Sequence, residues 1–399
     1  MFSMKEEVYM SKNILFVMPH LYTGGITTAF LNLINSICNN TELNIDILLF
    51  NHDNTSVLPD NVNVIPTNKM LRLISTSQEK IRKESLFLSL MRLGFGAISK
   101  FIGSHIAYKI IFGFCPRLSK YDFAISYCQS SSNRSFYGGM NDFVIDKVDA
   151  KTKISFLHCD YSQCGSSDSH NDKVYEKFDK IAAVSQGVKD AFISVMPHLE
   201  SKVHVVHNCH QVDRILSLSK VNTFVYDNDV LNIITVARIS AEKGHYRALE
   251  VFARLKNEGY KFRWHIIGGA DVRTEVEFAE KIENLDLKDC VVMHGNQNNP
   301  YRFFPNADVM LLPSYHEAAP MVFSEAEILG LPVITTDTLS AKEFVADKGI
   351  GIVCDSNVEG IYDSLSQILK NPHILSKFSS KYKTHDNYEQ LEEFYALLK

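Results

Sequence analysis

Residues 314–337 read SYHEAAPMVFSEAEILGLPVITTD, and this stretch decides the fold. The run before it, DVMLLPS (308–314), is short, apolar and bounded by polar residues, as a buried strand is. Ser314 to Ala319 then form the loop at that strand's carboxyl end. Pro320 suits the first turn of a helix, where a missing N–H costs nothing. Gly330 closes the helix, and Leu331-Pro332 leads into the next strand, PVITTD. Glu317 is thereby expected in the loop, and Glu325 more than a turn into the helix. Ligands of open α/β sheets bind at this edge. The first-turn stretch Ala319, Pro320, Met321 and Val322 faces the same crevice with free backbone N–H groups, which attract phosphate. Carboxylates beside an anion site serve the hydroxyls of a ligand and not its phosphates. The plainer reading makes Glu317 a dipole-compensating charge and Glu325 a surface residue. The surrounding strand–loop–Pro–helix–Gly–Pro–strand context favours the functional one.

The same alternation runs through the chain. NILFVMP (13–19), NIDILLF (44–50), FAISY (123–127), KISFLH (153–158) and KIAAVS (180–185) are spaced by helical patterns in the first half. LNIITVAR (231–238), FRWHIIGG (262–269), VVMHG (291–295), PVITTD (332–337) and GIGIVC (349–354) repeat the habit in the second. Continuous apolar runs of this kind mark parallel strands covered on both faces. The expectation is an α/β protein of two doubly wound Rossmann-like domains. The polar SLSKVNTFVYDND places the boundary near 210–230. The domains are set at 1–212 and 213–380, with a terminal segment at 381–399. Its amphipathic stretch DNYEQLEEFYALL carries Tyr388, Leu391, Phe394, Tyr395 and Leu398 on an apolar face. No strand follows it, so it must pack on something already built.

At 399 residues the chain exceeds one ordinary core, in keeping with two domains. A net charge of −5 argues against a dedicated nucleic-acid binder. No apolar run reaches bilayer length, and MFSMKEEVYMSKN lacks a leader's apolar segment, which implies a cytoplasmic protein. The eight cysteines form no C-x-x-C pair and read as free thiols. His204, His207, Cys209 and His210 cluster, but KVHVVHN alternates as a strand does, and no second ligand pair follows, so no metal is expected.

Two further stretches carry chemistry. In VARISAEKGH (236–245), Arg238 ends a buried strand and Lys243 opens the next helix, placing two cations at the sheet edge where a diphosphate would sit. The plainer reading is two solvated cations. In PHLYTGGITTAFLNL, Gly24 and Gly25 form a turn that lets backbone approach a ligand. This turn is not G-x-G-x-x-G, so no dinucleotide site is supported. The acidic DND at 227–229 precedes a strand, where a metal-binding D-x-D would follow one.

With these residues in view, the chain resembles the GT-B-fold retaining glycosyltransferases of family 4, common in bacterial polysaccharide assembly. The likeness runs through VARISAEKG, WHIIGG, VVMHGNQNNP, ADVMLLPSYHEAAPMVFSEAEILGLPVITTD and SAKEFV. In the first half it rests on GGITTAFLNL, ISFLHCD and AVSQGV. The resemblance implies two domains facing across a cleft and a terminal helix crossing back to the first. It implies a nucleoside-diphosphate sugar donor (a UDP-sugar), no metal or other cofactor, and a lipid-linked or oligosaccharide acceptor. Glu317 would hold donor-sugar hydroxyls and Glu325 the ribose. Arg238 and Lys243 would neutralise the leaving diphosphate, His158 would touch the transferred sugar, and Gly24 and Gly25 would contribute backbone. Gly268 and the backbone around His294 and Gly295 would flank the donor. Ala318 stands where the family often has glycine. The alternatives are a nucleotide-sugar epimerase or hydrolase, a phosphorylase, and a non-catalytic binding subunit. The four charged residues together argue against the last.

Residues 80–120 break the pattern. They are helical in tendency and apolar, with Phe87, Phe95, Phe101 and Ile102 expected at the surface. They carry Lys80, Arg82, Lys83, Arg92, Lys100, Lys109, Arg117 and Lys120 against Glu84 alone. A hairpin buried in its own domain and a segment lying on an anionic membrane, at the inner face of the plasma membrane, both remain open.

Overall fold

The computed structural model describes residues 11–379 and 386–399. The amino-terminal residues read for a leader, and the start of the expected terminal segment, lie outside the described residues. The chain divides into two compact units. One runs to Cys209 and takes in Asn387–Lys399, and the other is His210–Asp386.

Among the described residues of the first unit, seven strands form one parallel sheet: β1 Lys12–Met18, β2 Leu43–Leu49, β3 Asn63–Ile65, β4 Leu118–Ser126, β5 Val148–Leu157, β6 Lys180–Ala183 and β7 Val203–Val205, in the order β3-β2-β1-β4-β5-β6-β7. The apolar run of β1 takes an interior place between β2 and β4, with Phe16 opposite Ile47 and Ile125. The second unit builds a six-stranded parallel sheet from β8 Leu231–Val236, β9 Phe262–Ile267, β10 Val291–Gly295, β11 Val309–Leu312, β12 Val333–Thr336 and β13 Gly351–Cys354, ordered β10-β9-β8-β11-β12-β13. Alternation along its strands sends Ile233, Trp264 and Leu311 into one core and Ile234, Ile267 and Met310 into another. Both faces are covered, which is why the strands read as unbroken apolar runs.

The stretch 217–229 is not an open linker. A helix spans Val212–Ser219, and Tyr226 is buried in the second unit with its hydroxyl donating to Phe303 O at 2.6 Å. The basic insertion is shorter than 80–120. Its helices are Gln78–Glu84, Leu86–Phe101 and Ser104–Gly113, and β4 already begins at Leu118. Phe95, expected outside, is buried and stacks on Phe136 at 5.7 Å. No helix among the described residues is long and apolar enough to cross a membrane.

The terminal helix, Tyr388–Leu397, packs on the first unit. Phe394 is fully buried and stacks on Phe16, with ring centroids 6.3 Å apart. The helix's exposed last carbonyls would be costly to leave bare. Lys180 Nζ donates to Leu397 O and Lys12 Nζ to Leu398 O, both at 2.8 Å, placing cations at the negative end of the dipole. His207, from the cluster considered for metal, instead donates its backbone N–H to Glu393 and lies 2.9 Å from that carboxylate through its ring. The buried face agrees with expectation at Phe394 and Leu398 and differs at two positions: Leu397 is also buried, and Tyr388 is exposed. We predict that Phe394→Ala costs about 3–5 kcal/mol of unfolding free energy. Tyr388→Ala should stay within about 0.5 kcal/mol. Urea titration of the two variants checks the contrast.

Candidate functional site

Parallel pairing brings the carboxyl ends of β8, β9, β10 and β11 to one edge of the second sheet. The residues following them are therefore neighbours whatever their distance in sequence. Gly268 shows how tight this edge is. Its φ is 144°, and a Cβ there would lie 2.1 Å from Ala237 O, so only glycine fits between the ends of β8 and β9. Its N–H donates to Gly295 O at 2.9 Å, which joins two of the expected donor-side positions.

The loop after β11 is held from below by a residue that sequence reasoning passed over. Arg247 is buried, and its guanidinium donates to Pro313 O at 2.9 and 2.7 Å and to Ser314 O at 2.7 Å. It also lies over the Tyr315 ring, 3.8 Å from the centroid. The backbone of Tyr315 donates to Glu242 O at 2.8 Å, tying this loop to the one after β8. Close approach of the two loops requires Gly244, whose φ is 70° and whose absent Cβ would meet Pro313 O at 1.8 Å. The sequence did hold a signal: Arg247 stands four residues before Val251 on the buried side of the helix His245–Asn257. A cation on such a face needs a built acceptor set.

On this platform the expected residues fall as follows. Glu317 is buried, and its Oε1 accepts from Lys243 Nζ and from Ser314 Oγ, each at 2.6 Å. Lys243 sits in the 3₁₀ turn Ala241–Lys243, two residues before the helix His245–Asn257 that it was expected to open. Arg238 is largely exposed and has only a loose contact with Glu242 at 3.8 Å, which leaves its guanidinium available to a ligand. The helix Met321–Leu329 starts one residue later than read, with Pro320 as its N-cap, and no side chain caps it. Ala319 packs on the core beneath, and Met321 and Val322 supply the first-turn N–H groups. Gly330 ends the helix in the left-handed conformation.

Glu325 is not a surface residue. It is buried, its Oε1 accepts from Tyr301 Oη at 3.0 Å, and burial raises its pKa to about 7. The side chain of His294 turns away from the edge into an aromatic cluster. Its Nε2 lies 3.0 Å from His265 Nδ1, its ring is 4.7 Å from Phe303, and its carbonyl accepts from Gln297. Burial lowers the pKa of both histidines, that of His265 to about 4. Asp227 of the DND stretch lies 3.7 Å from Arg263, and no group of three or more metal-ligating side chains occurs among the described residues.

In the first unit, Gly24 and Gly25 are exposed where the helix Gly25–Ile37 begins, and a Cβ at either would meet nothing within 4 Å. Local packing therefore does not demand glycine there. His158 follows β5, its ring 4.9 Å from Tyr127, and its Nε2 has no partner among the described residues. Burial holds its pKa down to about 3, so the imidazole is neutral. All eight cysteines are free.

Glu325 gives this geometry a pH signature. Its folded-state pKa lies above the ordinary 4.5, so the native protein holds a proton that the unfolded chain releases. Stability from this group is present below pH 4.5 and falls as pH rises to about 7, by on the order of 3 kcal/mol. We predict that ligand-free Glu325→Gln gains on the wild type steadily across that window, as read by urea midpoints. A pH-independent difference would contradict the buried placement.

Residues 223–385 match the family model described as glycosyl transferases group 1. The amylovoran biosynthesis glycosyltransferase AmsK of Erwinia amylovora is 31% identical over 183 residues, which cover 41% of this chain and 44% of that protein. The N-acetylgalactosamine-N,N'-diacetylbacillosaminyl-diphospho-undecaprenol 4-alpha-N-acetylgalactosaminyltransferase of Campylobacter jejuni is 23% identical over 213 residues, 53% of this chain and 56% of that one. The matches thus span about half the length of these relatives or less. Among solved structures, HepE of Anabaena in complex with UDP superposes with a TM-score of 0.63 at 15% identity, over 97% of each chain. That likeness is one of fold: two Rossmann-like units of the GT-B type.

Proposed function

We propose that this protein, whose second unit belongs to the glycosyl transferases group 1, moves a hexose or N-acetylhexosamine from a UDP-sugar to a saccharide hydroxyl in surface polysaccharide assembly. One observation carries the reading: a buried carboxylate and an ammonium joined at 2.6 Å beside an exposed arginine and an uncapped helix start, all at one sheet edge. Such an edge offers positive charge to a diphosphate and acceptors to sugar hydroxyls. The polysaccharide context is that of AmsK, and the lipid-linked acceptor class is that in the Campylobacter relative's name.

In this reading Glu325 meets the ribose and Glu317 the donor sugar, while Gly268 and Gly295 let the donor lie close to the backbone. The acceptor hydroxyl attacks the anomeric carbon on the face the diphosphate leaves. The carbon–oxygen bond to the diphosphate breaks, a bond to the acceptor oxygen forms, and the hydroxyl proton passes to the departing diphosphate, with retention at the anomeric centre. Arg238, Lys243 and the N–H groups of Met321 and Val322 stabilise the growing charge. The acceptor side is assigned to the first unit, with Gly24, Gly25 and neutral His158 as its candidates. No metal is required by this scheme.

The test is UDP release from a panel of UDP-sugars, with and without a lipid-linked saccharide. Arg238→Ala and Lys243→Ala should each lower turnover by on the order of a hundredfold while the fold persists. Chelation by EDTA should leave the rate unchanged. Near-normal turnover in both variants would overturn the assignment of the charge-stabilising groups.

A further inference from the structure

The helix Leu86–Phe101 turns an apolar face outward. Its exposed side carries Leu86, Phe87, Leu90, Leu93 and Phe101, spaced so that they share one face, with Phe87 at 70% and Phe101 at 75% exposure. Ile102 extends the face at 65%. The side turned into the unit carries polar groups around Phe95. Ser89 is buried and accepts from Gln78, Ser99 is buried, and Arg92 donates to Thr76 O at 2.8 Å. An ordinary surface helix puts these groups in water and those apolar side chains in the core. A contiguous apolar face of this kind marks an interaction surface.

The charge around it says what covers it. Of the eight cations between 80 and 120, three are spent within the unit: Lys80 on Asp53 at 2.7 Å, Lys83 on Glu79 at 2.6 Å, and Arg92 as above. Glu84, the acid of this stretch, is taken by Arg72 at 2.6 Å. Arg82, Lys100, Lys109, Arg117 and Lys120 remain exposed, with no ion pair among the described residues. The insertion therefore presents apolar side chains with a net excess of uncompensated cations. We infer that this face of the first unit docks on an anionic lipid surface, with Phe87, Leu90 and Phe101 entering the headgroup boundary and Lys100, Lys109 and Arg117 meeting phosphates. With no spanning helix among the described residues, the attachment is peripheral. Each cation near such a surface is worth about fivefold in affinity, and the apolar side chains add to that. A protein partner would have to match a broad apolar strip with acids around it, and a second copy of this face would repel through the same cations.

Vesicle flotation tests the inference without any need for turnover, so its outcome is separable from that of the transferase reading. The full chain should float with phosphatidylcholine–phosphatidylglycerol vesicles at low salt, stay behind with phosphatidylcholine alone, and be released by salt. Phe87→Ser with Phe101→Ser, and separately Lys100→Glu with Lys109→Glu and Arg117→Glu, should each lower the bound fraction by about tenfold or more. These side chains are exposed, so both variants should keep the wild-type melting temperature; the charge variant leaves every apolar contact in place and reads the surface even if the other misfolds. No binding to anionic vesicles at low salt overturns the proposal. So does binding that survives both variants. A wild-type dimer that the serine variant turns into monomers would assign the face to a second copy instead.

Discussion

A carboxylate buried at a sheet edge has to be held, and Glu317 is held by Lys243 across 74 residues of sequence. Taking both charges out of water is costly, and removing one partner of such a pair exposes that cost at about 3–5 kcal/mol. The rest of the second unit is arranged so that the pair closes. Arg247 gathers the carbonyls of Pro313 and Ser314, Gly244 lets the two loops touch, and Ser314 adds the second donor to Glu317. Arg238 is left outside this web. The edge thus has a fixed part, which keeps its shape without a ligand, and one cation able to move toward whatever arrives.

The first unit solves a different problem. Phe16 of its sheet meets Phe30 of the helix Gly25–Ile37, and the chain returns after the second unit to add Phe394 against the same ring. Two lysines from the first residues of β1 and β6 then close that helix's carbonyls. Here apolar area and helix ends are fully answered within the chain. At the helix Leu86–Phe101 they are not: Ser89 and Ser99 lie inward beside Phe95, while Phe87 and Phe101 face outward. The contrast within one unit separates a face built for its own core from a face built for another surface.

Much of this was legible in the sequence, and the limits have physical causes. Strands buried on both faces announce themselves as continuous apolar runs, so eleven of the thirteen strands named above fall on or beside such runs; the edge strands β3 and β7 are short and only partly buried. The loop with Glu317 and the close of the helix at Gly330 could be read because proline and glycine punctuate locally. What depended on contacts distant in sequence was missed. Arg247 was passed over, the plainer reading of Glu325 left it on the surface, and Lys243 and Glu317 were read as separate groups. Phe95 was misplaced because only packing against Phe136 distinguishes it from its exposed neighbours. The stretch 217–229 looked like a linker because its polarity hides Tyr226, which works as a wedge and not as part of a periodic element.

The central claim of the proposed reading is that one fixed ammonium, Lys243, faces both Glu317 and the diphosphate of a bound donor. Calorimetry of Glu317→Gln with UDP and with the UDP-sugar that supports turnover tests it most directly. Freed from its carboxylate, Lys243 should bind UDP at least as tightly as in the wild type, while the UDP-sugar loses the acceptor for its hydroxyls and binds more weakly. The two ligands should therefore separate, with only the UDP-sugar weakened. Equal weakening of both would contradict the account.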